Sequence, residues 1–287
     1  MEQSDIVNII IETINTIFNN LFSSIDNNIY SNLDKITFID SDIMSNTFFM
    51  KLLGSNGKNG ILYLTDAILV GISVFYCIKY FYSNMVECNI EKPSQFVFKI
   101  LIFGIAINFS YFLLEQLLNI SYLISSSIQS IGKEIIGYDI NFSELIIYLN
   151  KKIDIANSSL NLFSYDGIIK SIISVGLLNL LFSYSIRYIL LQVFFLLSPF
   201  ALLSLINFST SWFFKAWSKC LFSLLIVQIF IPIIIIVIFC IDDNNKILLI
   251  SGIFVLTRIN DYIRDIFGGI GLNAVGNFNS MVSTLKK

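Results

Sequence analysis

Histidine does not occur anywhere in the 287 residues, which removes the commonest general base and the commonest metal ligand together. Charge is scarce as well: 13% of residues are charged, against roughly 25% in a soluble domain. The net charge of -2 comes with no basic tract, so phosphates of a nucleic acid find no clustered Lys or Arg, and direct DNA binding in solution is not expected. Four cysteines, Cys77, Cys88, Cys220 and Cys240, lie far apart and form no C-x-x-C, which leaves neither zinc nor redox spacing. They read as small lipid-facing or buried hydrophobes. Met1 to Asp5 carry no positive side chain and the apolar positions beyond them are interrupted by Asn, Glu and Thr, so no signal peptide is expected and the N-terminus is expected to be kept.

A phosphate-binding loop is missing too. The glycine-rich stretch Gly54 to Gly60 invites the comparison, but Asn59 follows Lys58 where Ser or Thr belongs, and Leu52 stands where the first glycine belongs. A nucleotide-driven pump is therefore excluded as a single chain, although a separate ATPase could be borrowed. There is no internal repeat of the kind a secondary transporter carries. No catalytic, cofactor or metal-binding pattern is found, and the chain is not expected to be an enzyme.

What is present is hydrophobic: 55% of residues, with a mean hydropathy of +0.77, gathered into long windows of Ile, Leu and Phe. That clustering is expected when a bilayer replaces water as solvent. The fold class is all-α, a polytopic membrane protein with about five transmembrane helices and an external N-terminal amphipathic helix. In the latter, Ile6, Ile10, Ile14, Ile17, Leu21 and Ile25 recur at three- and four-residue steps, with Asn8, Glu12, Asn15 and Asn19 between them. Its face lacks Lys and Arg, so docking on a partner and resting at the membrane surface both stay open.

Residues 1–60 read as this helix and a polar loop outside the membrane. Spans one and two fill 61–118, each near the ~20 residues that cross a ~30 Å core, joined by a polar turn at Lys92-Pro93. Residues 119–167 read as a helix extension and an external loop, with a short surface helix near Glu144. From Ile168 to Ile206 the apolar run would reach nearly twice the hydrocarbon thickness as one helix of 1.5 Å rise per residue. A break is required, and Ser198-Pro199 supplies it, since proline has no amide donor and clashes with the preceding turn. Trp212 and Trp217, with Lys215 and Lys219, are the expected interface anchors. A fourth span, Leu221 to Ile241, kinks at Pro232. After the Asp242-Asp243-Asn244-Asn245 turn a short fifth begins near Lys246, leaving 269–287 as a cytoplasmic tail.

Positive residues of short loops mark the cytoplasmic side. Lys79, Lys92 and Lys99, then Lys215 and Lys219, then Arg258, Arg264, Lys286 and Lys287 fall on one side when five spans are drawn. The N-terminus is thus expected outside and the C-terminus inside. A six-span alternative, split at Arg187, puts Lys215 and Lys219 outside and reads worse.

Polar residues inside the spans form two stripes. Gly176, Asn179, Ser183 and Arg187 share one face of the third span, and Gly104, Asn108, Tyr111, Glu115 and Asn119 one face of the second. They either pack helix against helix or line an aqueous path. Arg187 is the deepest ionisable group. Candidate packing or path-lining residues are Asn108, Glu115, Asn179, Ser183, Arg187 and Gln228.

The pattern Arg187-Tyr188-Ile189-Leu190, Leu197-Ser198-Pro199-Phe200-Ala201, Trp212-Phe213-Phe214-Lys215-Ala216-Trp217 and Gln228 resembles the TrbL/VirB-six family of inner-membrane subunits of type IV secretion and conjugation machines. The resemblance covers roughly Ile168 to Gly269, the family's core, and is closest to Gram-positive or A+T-rich bacterial members. It implies a membrane-embedded, oligomeric subunit of the bacterial cytoplasmic membrane that helps DNA or protein cross, with other secretion subunits and cytoplasmic ATPases as partners, lipid around it, and the transported DNA or protein bound only transiently. Arg187, Ser198, Pro199, Trp217 and Gln228 are the positions it singles out. The large soluble C-terminal extensions of some members are not expected here. Two other readings stand beside it: a stand-alone permease or exporter subunit for a small molecule or peptide, and a membrane anchor or immunity-type protein with no pore.

Overall fold

The computed structural model describes residues 6–10, 12–13, 16, 27–54, 60–86, 92–153, 165–241 and 245–267. Much of the expected N-terminal amphipathic helix, the centre of the Gly54–Gly60 turn, Cys88, the Asp242–Asn244 turn and the C-terminal tail lie outside the described residues. Every element within them is helical and none is a strand. In chain order these are α1 (Asn27–Thr37), α2 (Asp42–Ser45), α3 (Thr47–Leu53), α4 (Ile61–Val86), α5 (Pro93–Asn108), α6 (Ser110–Ile136), α7 (Phe142–Ile153), α8 (Tyr165–Leu196), α9 (Ser198–Leu203), a 3-10 turn (Phe208–Thr210), α10 (Ser211–Phe239) and α11 (Lys246–Phe267).

Among the described residues, three stretches are long and apolar enough to cross a membrane: Ile61–Ser83, Val175–Leu196 and Phe208–Phe239. A fourth arises if α5 and α6 act as one crossing, because they meet at a bend of 56° around Phe109. Five were expected. The difference falls on α11, whose second half carries Arg258, Asp261, Arg264 and Asp265, too much charge for a bilayer core. Those charges pair along the helix, Asp261 standing 3.8 Å from Arg258 and 3.7 Å from Arg264.

Proline acts where the sequence placed it. α8 stops at Leu196 and α9 starts at Ser198 with proline in its first turn, where a missing N–H leaves no helix bond unmade. Pro93 likewise opens α5. Pro232 lies inside the unbroken α10.

The region read as a polar external loop, 27–60, is largely helical. Leu33 is 2% exposed and Ile36 packs beside it, since the two lie three residues apart on one face of α1 and meet the core; Ile39, past the helix end, is 2% exposed as well. The short helix expected near Glu144 is present as α7, and its Leu145, Ile146 and Leu149 are buried rather than on a surface.

The chain divides into two compact units. The first, residues 1–39, 121–188 and 223–287, has a core of Ile, Leu and aromatic side chains from α1, α7, α8, α10 and α11. Close approach is built in at Gly132, where a Cβ would meet Ile140 and Ile236 at 2.7 Å. The second, residues 40–120 and 189–222, packs α4, α5 and α9 around Phe96, Ile107, Leu203 and Ile206. Tyr76 of α4 stacks on Phe96 at 3.6 Å.

Candidate functional site

Pro232 has no N–H to give, so the carbonyl of Gln228, four residues back in α10, lacks its helix donor. Ser125 of α6 supplies one: its Oγ donates to that carbonyl at 3.0 Å, and Ser121, one turn earlier, donates to the Leu225 carbonyl at 3.0 Å. Two serines at i and i+4 thus fasten α6 to α10.

The Gln228 side chain, fully buried, continues the network. Its Nε2 donates to the Ile39 carbonyl at 2.9 Å, and its Oε1 accepts a long 3.4 Å bond from Arg187 Nη2. Arg187 of α8, also fully buried, donates from Nε to the Leu224 carbonyl at 2.9 Å and from Nη1 to the Thr37 carbonyl at 3.1 Å. Thr37 ends α1, so the guanidinium sits at the negative end of that helix dipole, where terminal carbonyls have no intrahelical donors. Among the described residues, the acceptors that Arg187 reaches are all neutral. A buried cation is here held by carbonyls and an amide rather than by a carboxylate.

One turn before Arg187, Tyr184 donates to the Leu256 carbonyl of α11 at 3.0 Å, and Ser183 Oγ accepts from Asn260 Nδ2 at 2.8 Å. Asn260 Oδ1 is buried with no hydrogen-bond partner among the described residues. α1 is fixed at a second point by Asp34. Its carboxylate accepts from the amides of Phe142 at 2.7 Å and Ser143 at 3.3 Å, and from Ser143 Oγ at 2.6 Å, so it caps α7 from a distance. Burial holds the Asp34 carboxyl above its ordinary value of 3.8, while the bonds from Ser143 and Phe142 oppose that shift.

Of the residues singled out in the sequence, Arg187 and Gln228 are brought together and Ser183 joins Asn260. Asn179 and Glu115 are half-buried. Asn108 is exposed and donates back to Gly104 of its own helix at 3.0 Å. The bend at Phe109 interrupts the stripe it belongs to, and Tyr111 beyond the bend donates to the Met44 carbonyl at 3.0 Å. In the second unit Ser198 and Pro199 are buried, Ser198 Oγ donating to Phe195 O at 2.8 Å. Trp217 is buried and donates from Nε1 to Phe194 O at 2.9 Å, whereas Trp212 is exposed.

Ser121, Ser125, Tyr184, Asn260 and the Thr37 and Ile39 carbonyls were not anticipated. One signal was readable: a proline four residues after Gln228 announces a free carbonyl at that glutamine. Among the described residues no group of three His, Cys, Asp or Glu side chains could hold a metal. The described side chains of the site act as hydrogen-bond donors and acceptors that hold one helix against another. Comparison of the sequence with protein-family models and with characterised proteins finds no match.

Proposed function

We propose that the chain is a channel or scaffold subunit of a type IV secretion or conjugation machine, set in the bacterial cytoplasmic membrane with its N-terminus outside and its C-terminus inside. Five crossings make up this reading: the three long apolar stretches, the bent α5–α6 pair, and the apolar first half of α11. Other secretion subunits, including cytoplasmic ATPases, are its partners, and DNA or protein is the cargo.

The observation that carries the reading is the behaviour of the positions shared with the TrbL/VirB-six pattern. Arg187, Ser198, Pro199, Trp217 and Gln228 are each less than a tenth exposed, and Arg187, Gln228, Ser198 and Trp217 each make a bond to main chain. The resemblance therefore falls on residues that organise helix packing. A second support is how little the Ile61–Ser83 stretch is covered by its own chain, 6% of its most apolar window being buried. Lipid and neighbouring subunits are what such a helix needs.

Deleting the gene in its own host and complementing it is the direct test. Transfer of DNA or of a secreted protein should fall to background and be restored by the intact chain, which should also co-purify with a secretion ATPase. Normal transfer in a clean deletion defeats the proposal, and substrate flux in liposomes holding this chain alone would favour a stand-alone permease.

A further inference from the structure

Arg187 carries five N–H donors, a planar fork shaped for two oxygens of one oxyanion, yet the three bonds it makes to described residues end on two main-chain carbonyls and one amide. Its burial is complete. Carbonyl dipoles satisfy hydrogen bonds but do not neutralise a charge, and a charge taken out of water is normally kept with an opposite one. Of the three acceptors, only Leu224 O belongs to a helix backbone that runs on through both sides of the contact.

The other contacts are of a different kind. Thr37 O is the end of the short α1, and the chain then leaves helix geometry at Phe38 and Ile39. Ile39 O is gripped by Gln228 Nε2, and Thr37 O by Arg187 Nη1. Together these two carbonyls occupy the donors of a guanidinium and a carboxamide, the pair of groups that would recognise a carboxylate or phosphate oxygen pair. The C-terminal end of a helix, with its partial negative charge, is the main-chain feature most like an anion.

We propose that Thr37, Phe38 and Ile39 form a displaceable strap over an oxyanion site made by Arg187 and Gln228, the strap carbonyls standing in for the anion. A phosphate or carboxylate bearing a full charge is the better partner for the guanidinium, so its arrival lifts the strap and exposes Ile39. The strap's second fastening, Asp34 on the α7 N-terminus, lies one helical turn back from Thr37 and lets the tip move while α1 stays docked. This is independent of which machine the chain serves.

The test uses the full chain in lipid nanodiscs, with Cys77, Cys88, Cys220 and Cys240 replaced by alanine and Ile39→Cys as the reporter. Ile39 is 2% exposed, so its thiol reacts slowly while the strap is seated. Inorganic phosphate or acetate should raise the rate of labelling by a polar thiol reagent by about fivefold or more over sodium chloride of equal ionic strength. Phosphate acting alone assigns a phosphodiester-like ligand, and acetate acting alone a carboxylate. In Gln228→Glu a resident carboxylate replaces the amide beside Arg187 and removes the Nε2 donor to Ile39 O, so the reporter should label fast without added anion and the anion effect should vanish. Equal rates in phosphate, acetate and chloride, or an undiminished rise in Gln228→Glu, overturn the proposal. The parent comparison decides even if the variant fails to fold. A failure here leaves transfer by the intact chain untouched as a test of the secretion reading, and a loss of transfer leaves this labelling result standing.

Discussion

Pro232 and Ser125 form a coupled pair of a kind that a list of contacts does not reveal. The proline removes the donor from the Gln228 carbonyl and the serine replaces it at 3.0 Å. Ser125→Ala should therefore cost ~1–3 kcal/mol, the penalty of leaving a buried carbonyl without a partner. With Pro232→Ala in the background the helix N–H returns, and the same serine change should cost under ~1 kcal/mol. Unfolding of the four chains in mild detergent closes the cycle, and a coupling energy near zero would show that the proline and the serine act separately. The same residues show what the sequence made legible. A charge deep in an apolar run, a Ser-Pro break and an in-span glutamine each stand out by single-residue chemistry, and Arg187, Pro199 and Gln228 all proved to be buried. Their partners did not stand out. Main-chain carbonyls such as Thr37 O and Ile39 O have no letter in the sequence, and Ser121 and Ser125 look like ordinary small residues of a helix face.

Among the elements, α1 is the one whose place was least readable, because its Asp, Asn and Ser content suggests water while its Leu33 face is covered. Its attachment by Asp34 gives it a pH dependence. The carboxyl is held above 3.8 by burial, so folding favours its protonated form, and this contribution to stability is full below pH 3.8 and lost as pH rises through the raised value. Amides of α7 should exchange faster as pH rises from about 4 to 7, after correction for intrinsic exchange, and Asp34→Asn should remove the slope. A slope unchanged in Asp34→Asn would assign it to another group. The bend between α5 and α6 was hidden for a different reason. It contains neither proline nor glycine: Phe109 simply takes φ -89° and ψ 1°, its N–H still reaching Ile105 O at 3.0 Å. Glycine at helix contacts gives a sharper expectation. Gly132→Val should destabilise by ~1–3 kcal/mol, since its Cβ would stand 2.7 Å from Ile140 and Ile236, whereas Gly71→Ala, with nothing within 4 Å of its Cβ, should be neutral or mildly stabilising. Thermal midpoints of the two variants compare these directly.

At the scale of the molecule, the number of crossings reduces to a question of parity. Among the described residues three apolar stretches and one bent pair make up to four, an even number that would leave the two ends of the chain on the same side. Counting α11 as a fifth puts them on opposite sides. The charges favour five: Lys92 and Lys99 by the first connection, Lys215 and Lys219 in the first turns of α10 by the third, and Arg258 and Arg264 past the apolar half of α11 would then share a face. α11 can serve despite its charged half, because Leu249, Ile253, Leu256, Ile259 and Ile263 are buried on one face while Arg258 and Arg264 pair with Asp261. In the proposed five-crossing arrangement such a helix would cross as far as its apolar turn and emerge through paired charges, with long side chains reaching headgroups. Sided tags settle the matter: a protease-cleavable tag before Met1 should be cut from outside in spheroplasts, and one after Lys287 only once the membrane is opened. Cleavage of both from the same side would return the count to four and place Arg258 and Arg264 on the external surface, against the direction set by the other lysines.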